Sequence, residues 1–133
     1  MKKIQLLVML VFLLVLSPNI FAQTQLNMNK DAADSYKKVD QELNTVYTQV
    51  LKLYASDAPF VLHLKAAERA WVQFRNEQVK MKYTPENNYG SARPMCVSVY
   101  MEELTNDRIK TLKVWVDGQE EGDVCNGSVH TKN

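Results

Sequence analysis

Residues 40–47 read DQELNTVY, and two further stretches share their character, AWVQFR at residues 70–75 and LTNDR at residues 104–108. Each stretch lies in a segment with helical periodicity, and each places a polar side chain on or beside the apolar face of the expected helix. A buried arginine is costly unless it is paired and hydrogen-bonded. The three stretches therefore predict helices that are joined by a specific polar network or that share a ligand site.

Apolar residues recur at intervals of three and four in three segments, and this spacing predicts three helices. The first runs from Lys30 to Tyr54, and the second starts at Ser56–Pro59, where cap residues precede a proline suited to a first turn. The third runs from Pro94 to Val116 and ends before Gly118. Since a short connection joins the first two helices, we expect an all-α fold, an antiparallel bundle of three main helices.

The expected apolar face of the second helix consists of Phe60, Leu64, Ala67, Trp71, Phe74 and Met81. That of the first consists of Tyr36, Val39, Leu43, Val46, Tyr47, Val50 and Tyr54, and that of the third of Val97, Met101, Leu104, Leu112 and Trp115.

The chain is expected to divide into three parts. Two lysines follow Met1, and an apolar run from Ile4 to Leu16 and a small residue at Ala22 come after them. The run is shorter than the roughly 18–20 residues of a membrane span, so the pattern predicts a signal peptide over residues 1–22, with an uncleaved anchor as the alternative. Residues 23–116 form the helical domain, and the polar, glycine-containing residues 117–133 are expected to be a flexible tail.

Charge narrows the classes of partner. Removal of residues 1–22 takes away Lys2 and Lys3, which leaves 14 basic side chains against 15 acidic ones and a formal charge of −1. Such a balance offers no electrostatic footprint for nucleic acid and no polybasic segment for an anionic membrane. With the predicted signal peptide, this gives an expected exported protein, periplasmic or secreted, that does not bind nucleic acid and has no membrane span after cleavage. Charge does not choose its partner, and the protein partner that we expect follows from the loop and the resemblance described below.

Four polar residues are candidates for the network. Arg108 lies close to the centre of the apolar face of the third helix, Arg75 lies at the edge of that of the second, and Asp40 and Asn44 flank that of the first. We expect Asp40 and Asn44 to accept hydrogen bonds from Arg75 or Arg108, which would link three helices. The alternatives are an arginine that faces a cleft and holds a carboxylate or a saccharide hydroxyl, and an arginine that reaches solvent.

The segment between the second and third helices is rich in tyrosines, cations and turn-forming residues. Its candidate partner-binding residues are Lys80, Lys82, Tyr83, Tyr89 and Arg93. Tyrosine adds contact area for little loss of entropy, and loops commonly carry recognition, so the segment suits protein binding. A solvated connector explains the same composition equally well.

Neither catalysis nor metal binding has support in the sequence. His63 has no second histidine or cysteine at ligand spacing, and no phosphate loop, metallopeptidase motif or nucleophile elbow occurs. We therefore expect no catalytic residue, no metal and no cofactor. Cys96 and Cys125 are candidates for a disulfide in an oxidising compartment, but the third helix separates them, so two separate thiols or an intermolecular link remain alternatives.

The order and spacing of these motifs resemble the N-terminal domain of the LprI-like lysozyme-inhibitor family, whose members are small exported helical domains. The resemblance extends from about Thr24 to Val116. The family usually has cysteines near the positions held here by Asp31, Val79 and Tyr100, so the helix-linking disulfide of the family has no counterpart in this chain. The residues that carry the resemblance are Thr24, Gln25, Met28, Asn29, Asp40, Leu43, Asn44, Tyr47, Ala70, Trp71, Phe74, Arg75, Asn76, Gly90, Ser91, Pro94, Met95, Leu104, Thr105 and Arg108.

The resemblance implies a non-enzymatic binding module that inhibits lysozyme-type muramidases. The implied mechanism is a rigid helical scaffold that presents a loop to the carboxylate-lined cleft of a basic enzyme. Lys80, Lys82 and Arg93 would approach those carboxylates. The alternatives are an envelope structural or assembly module that binds another protein or a peptide through a helix groove, and an enzyme that acts on the cell wall.

Overall fold

The protein is built from three α-helices. A computed structural model describes the backbone of residues 2–122 and 124–132 and the side chains of residues 21–122 and 124–132. The helices are α1 (Lys2–Leu53), α2 (Ala58–Lys82) and α3 (Arg93–Asp117), and a 3₁₀ turn at Gly90–Ala92 precedes α3. The described residues contain no strand, and the predicted all-α fold class is confirmed. Within the same residues, none of the helices has the length and apolar character needed to cross a membrane. The predicted signal peptide, residues 1–22, lies mostly outside the described side chains.

Helix α1 starts well before Lys30, the position at which the apolar spacing begins. Its side chains between positions 21 and 29 are largely exposed, and they stabilise the helix by local polar pairs rather than by burial. The Gln23 side-chain amide donates to the Asn27 side-chain oxygen at 3.4 Å, and that of Gln25 donates to Asn29 at 3.0 Å. Periodicity of apolar residues could not reveal residues 21–29 as helical, because their side chains are largely exposed and form no buried apolar stripe.

The core lies where the three helices meet. The backbones of α1 and α3 approach each other more extensively than those of α2 and α3. Thr105, Ile109 and Leu112 are the buried residues of α3, so its core face lies to one side of the predicted one. The predicted face of α1 is confirmed, since every buried residue of α1 from position 21 onward belongs to it. The hydrophobic core consists of Leu43, Val46, Val50, Leu64, Ile109 and Leu112.

The predicted face of α2 holds for Phe60, Leu64 and Trp71, but toward the C-terminal end of the helix the inward face is shifted by one residue. Phe74 and Met81, expected in the core, are 54% and 68% exposed, whereas Arg75 is only 9% exposed. Glu68, Trp71 and Arg75 follow one another at intervals of three and four, so they share the inward face. Arg75 turns inward because polar and aromatic partners on all three helices surround its guanidinium group. The prediction that Phe74 and Met81 belong to the core is therefore wrong.

The connection between α1 and α2 uses the cap that the sequence predicts. The Asp57 carboxylate accepts a hydrogen bond from the Phe60 backbone N–H at 3.0 Å, and Pro59 lies in the first turn. The Tyr54 ring at the end of α1 stacks on the Phe60 ring with centroids 4.1 Å apart. These contacts join the end of one helix to the start of the next, and the antiparallel arrangement of the bundle stays a prediction.

Residues 118–132, apart from position 123, fold back onto the bundle and are called the C-terminal strap here. Gly118 ends α3 with a φ of 72°. The Gln119 N–H donates to the His130 carbonyl oxygen, and the Lys132 N–H donates to the Gln119 carbonyl oxygen, both at 2.9 Å. The His130 N–H donates to the Tyr54 hydroxyl at 3.1 Å. The sequence predicts a flexible tail without these contacts, and its flexibility stays a prediction.

Candidate functional site

Three tyrosine rings gather where α2 ends and α3 begins. The Tyr83 ring lies 5.5 Å from that of Tyr89 and 6.3 Å from that of Tyr100, centroid to centroid, and both pairs are edge-to-face. The Lys82 ammonium lies 3.7 Å from the Tyr100 centroid. A cation at this distance from a ring face is favourable, and edge-to-face pairs favour one mutual orientation of the rings. The structure thus brings three of the five predicted partner-binding residues together, and it adds Tyr100, to which the sequence did not point.

Hydrogen bonds hold the loop that carries these rings. The Arg93 guanidinium donates to the Tyr83 carbonyl oxygen at 3.1 Å. The Tyr89 hydroxyl lies 3.4 Å from the Thr84 hydroxyl and accepts from the Asn87 side-chain amide at 3.3 Å. These hydrogen bonds, that to Thr84 first, lower the pKa of Tyr89 from its ordinary value. The loop is therefore ordered by its own side chains, although it lies at the surface.

Arg75 is the centre of one interhelical polar contact. One terminal nitrogen of its guanidinium lies 3.2 Å from the Asp40 carboxylate and 3.5 Å from the hydroxyl of the buried Thr105. The guanidinium carbon lies 4.9 Å from the Trp71 ring centroid. Among the described residues, nothing accepts a hydrogen bond from the buried Arg75 Nε. Arg75 therefore links α1, α2 and α3 through groups that α1 and α3 supply.

Arg108 forms a second contact that is separate from the first. Its Nε and Nη2 donate to one carboxylate oxygen of Glu68 at 3.0 and 2.8 Å, and both side chains are about 15% exposed (14% and 15%). Asn44 donates its side-chain amide to the Asp40 backbone carbonyl at 2.8 Å and does not reach an arginine. The expectation that Arg108 and Asn44 join the Asp40 network is thus corrected. Glu68 satisfies Arg108 across the α2–α3 contact, and Asn44 is satisfied within its own helix.

Glu68 is the residue of this region that the sequence reasoning missed. A signal for it exists, because Leu64, Glu68, Trp71 and Arg75 form one continuous face at intervals of four, three and four. The Trp71 ring lies within 5.8 Å of the Arg108 guanidinium carbon as well, so it contacts both arginines. An acidic residue on the same face as an arginine and a tryptophan indicates a partner for a second cation.

A surface cavity lies at the last turns of α2. Phe74 and Met81, which the sequence placed in the core, line it. Its volume is about 470 Å³, and its apolar part comes from Phe74, Met81 and Pro85. Lys80 and Glu77 form an exposed ion pair at its rim, with 2.8 Å between nitrogen and oxygen. The complete lining is Phe74, Glu77, Gln78, Lys80, Met81, Thr84, Pro85 and Glu86. We call this group the α2-end cavity.

The two cysteines lie at opposite ends of α3. Cys96 is in the first turns of the helix, and Cys125 belongs to the strap, which returns to the other end through the contact between His130 and Tyr54. From Cys96 to Asp117 the helix spans roughly 30 Å at about 1.5 Å per residue. Cys96 and Cys125 are accordingly not bonded to each other, so that alternative of the sequence prediction is corrected. Within the described part of the chain, no group of three or more histidine, cysteine, aspartate or glutamate residues could hold a metal ion.

Fold and site together define a small helical domain that carries an ordered, tyrosine-rich loop and an apolar surface cavity at one end. Residues 19–112 match the family model described as lysozyme inhibitor LprI, and the chain belongs to this family. An uncharacterised protein of Rhizobium meliloti (strain 1021) is 33% identical over 110 residues, which cover 74% of this chain and 78% of that protein. No solved structure matches the chain significantly.

Proposed function

We propose that this protein is an exported, non-enzymatic inhibitor of lysozyme-type muramidases. The observation that carries the proposal is the family match, which extends over residues 19–112 and thus over all of α2 and most of α3. Inhibition by a binding module requires a surface that is held in one conformation before the partner arrives, since ordering a loop on binding costs affinity. The loop between α2 and α3 meets that requirement.

The proposed contact with the enzyme is made by the loop and its flanking residues. Lys80, Lys82 and Arg93 approach the carboxylates that line the cleft, while Tyr83 and Tyr89 supply rigid contact area. Each of the three cations has an intramolecular contact in the unbound protein: Lys80 with Glu77, Lys82 with Tyr100, and Arg93 with the Tyr83 carbonyl. Lys80 is the most available of them for a partner, because its ion pair is exposed and exposed pairs contribute little free energy.

A turbidity assay of peptidoglycan lysis by purified c-type and g-type lysozymes tests the proposal. The full chain, expressed with its own N-terminal segment and purified, should protect the peptidoglycan in a dose-dependent manner. The variant Lys80→Gln should protect less well. Lys110→Gln is the matched control, because Lys110 is also exposed and also pairs with an acid three positions earlier, Asp107, at 2.8 Å. Full lysis by both enzymes at excess protein would contradict the proposal.

An envelope assembly module is the second candidate, and one feature of the structure favours it. A groove of about 600 Å³ lies between α1 and α2 and combines apolar with charged side chains. Burial raises the pKa of the Tyr47 phenol, which lines the groove. Such a groove suits a peptide or helix of another envelope protein. A pull-down from envelope extract that recovers one partner, lost on Tyr47→Arg, would support this candidate over lysozyme inhibition.

A further inference from the structure

The exposed apolar residues of the α2-end cavity are unusual for their position. Phe74 and Met81 lie seven positions apart on one helical face, and each is more than half exposed, although the buried residue of this stretch is an arginine. A helix that places arginine inside and phenylalanine outside forgoes the favourable free energy of burying the aromatic ring. Apolar groups that are exposed together and rimmed by polar residues mark interaction sites.

The charged side chains that line the cavity are Glu77, Lys80 and Glu86, which together carry a formal charge of −1. This charge favours a partner with a basic surface. Lys80 and Glu77 pair with each other, whereas Glu86 forms no ion pair within the described part of the chain. The neighbouring Lys82 does not line the cavity, and its ammonium lies over the Tyr100 ring. An apolar cavity with one unneutralised carboxylate at its rim is complementary to a basic protein surface.

We infer that the α2-end cavity is the anchoring surface for a basic protein partner, with Phe74 and Met81 as the apolar anchors and Glu86 as the residue that meets a partner cation. This inference rests on the proposed function, because lysozyme is the basic partner that the family supplies. It deepens that proposal by placing the largest share of the binding free energy on Phe74 and Met81 of α2, which are not among the partner-binding residues that the sequence predicts. Binding of this kind concentrates on a few desolvated aromatic and long apolar side chains.

The inference extends the loop contact and does not replace it. Thr84, Pro85 and Glu86 line the cavity and also belong to the ordered loop, so one partner can contact both surfaces. Rigid positioning of the loop by the tyrosine rings therefore also fixes one wall of the cavity.

Direct binding to immobilised c-type and g-type lysozymes, measured by surface plasmon resonance alongside the lysis assay, tests the inference. The double variant Phe74→Ser with Met81→Ser should bind at least about tenfold more weakly, as expected for the loss of two anchors. Its melting temperature should not fall, because both side chains are exposed. Leu62→Ser is the matched control: Leu62 is an apolar residue of α2 that is 63% exposed, it does not line the cavity, and the affinity of this variant should be unchanged.

Glu86→Lys supplies an independent variant in the loop. Reversal of this charge should slow association with the basic enzyme and weaken binding several-fold, with a smaller effect at high salt. Unchanged affinity of the double variant would overturn the inference and leave lysozyme inhibition standing. Binding without protection in the lysis assay would overturn the proposed function. The affinities of the variants would still show whether the partner binds at the α2-end cavity. Absence of binding by the unaltered chain to either enzyme would overturn both.

Discussion

At the scale of single residues, the arrangement of two arginines around Trp71 explains most of the polar character of the interior. One terminal nitrogen of Arg75 pairs with Asp40 and Thr105, and Arg108 pairs with Glu68. Two cationic groups within about 6 Å of one indole ring, at 4.9 and 5.8 Å, gain from the ring face while their charges are neutralised by different carboxylates. The division into two pairs avoids sharing one carboxylate between two cations.

Replacement of Arg108 tests whether this pair is structural. Arg108→Met leaves Glu68 mostly buried without its cation, and the free energy of unfolding should fall by about 3 kcal/mol. Urea denaturation measures the loss. If Arg108 instead served only to hold a ligand, this variant would unfold like the unaltered protein and fail in binding alone.

The control for this change removes both charges. Arg108→Met combined with Glu68→Leu should recover most of the lost stability, because replacing a buried ion pair by apolar groups is often close to neutral. A double variant as unstable as Arg108→Met would show that the cost comes from packing around Trp71 rather than from the unpaired carboxylate.

Tyr36 and Tyr89 should give opposite pH dependences in alkali. Burial raises the pKa of Tyr36, so its contribution to stability is present below the unfolded pKa of about 10 and is lost as the pH rises through the higher folded value. Hydrogen bonds, that to Thr84 first, lower the pKa of Tyr89, so its contribution is present above about pH 10 and is lost as the pH falls through the lower folded value.

Urea denaturation at several values between about pH 8 and pH 11 measures both effects. Tyr36→Phe should flatten the alkaline loss of stability, and Tyr89→Phe should steepen it. Identical slopes for the two variants would contradict the assigned environments.

At the scale of elements, the sequence predicts those features that depend on local chemistry. The Asp57 cap, the first-turn proline of α2, the Gly118 end of α3 and the core face of α1 follow from cap preference and apolar spacing. Apolar spacing also finds Phe60, Leu64 and Trp71 on α2. It fails at the C-terminal end of that helix, because the choice between Phe74 and Arg75 for the interior depends on partners in the other two helices. Apolar counting favours Phe74, while the carboxylate, hydroxyl and indole around Arg75 favour the arginine.

The candidate site divides along the same line. The composition of the segment around the loop predicts a recognition surface, because the side-chain types of its five candidate residues suit protein contact, and their role in binding stays a prediction. Neither Tyr100 nor the α2-end cavity was predicted. Tyr100 reaches Lys82 and Tyr83 only because α3 packs beside the end of α2. The α2-end cavity has its apolar lining because Arg75 faces the interior, which leaves Phe74 and Met81 at the surface.

The C-terminal strap is an element whose attachment depends on one glycine. A Cβ atom at Gly118 would lie 2.8 Å from the His130 carbonyl oxygen, and the φ of 72° is unfavourable for any other residue. Gly118→Ala should therefore detach the strap while the bundle stays folded. Amide hydrogen exchange measures this, with faster exchange expected at Gln119 and Lys132, whose N–H groups donate within the strap.

Gly127→Ala is the control for this variant. Gly127 also has a positive φ, of 57°, but a Cβ atom there meets nothing within 4 Å. The Gly127→Ala variant should lose about 1 kcal/mol of folding free energy to backbone strain but create no steric clash. The protection of the Gln119 amide from exchange should therefore persist. Equal loss of protection in the two variants would show that backbone strain, and not the contact with His130, decides the attachment.

At the scale of the whole molecule, contacts among residues beyond Ala22 join α1 to both other helices. Processing after Ala22 would leave these contacts intact. It would also change the formal charge from +1 to −1, by removing Lys2 and Lys3.

Export and cleavage can be tested on the full chain expressed in a bacterium that has a secretion pathway. The basic start, the short apolar run and the small residue at Ala22 predict that the protein recovered from the envelope begins at Gln23, as an intact-mass measurement would show. Ala22→Trp should block cleavage, because the peptidase requires a small residue, and should leave the precursor mass. Recovery of the unaltered chain at its full mass in the membrane fraction would indicate an anchor, and would place the lysozyme-binding surface on a membrane-tethered protein.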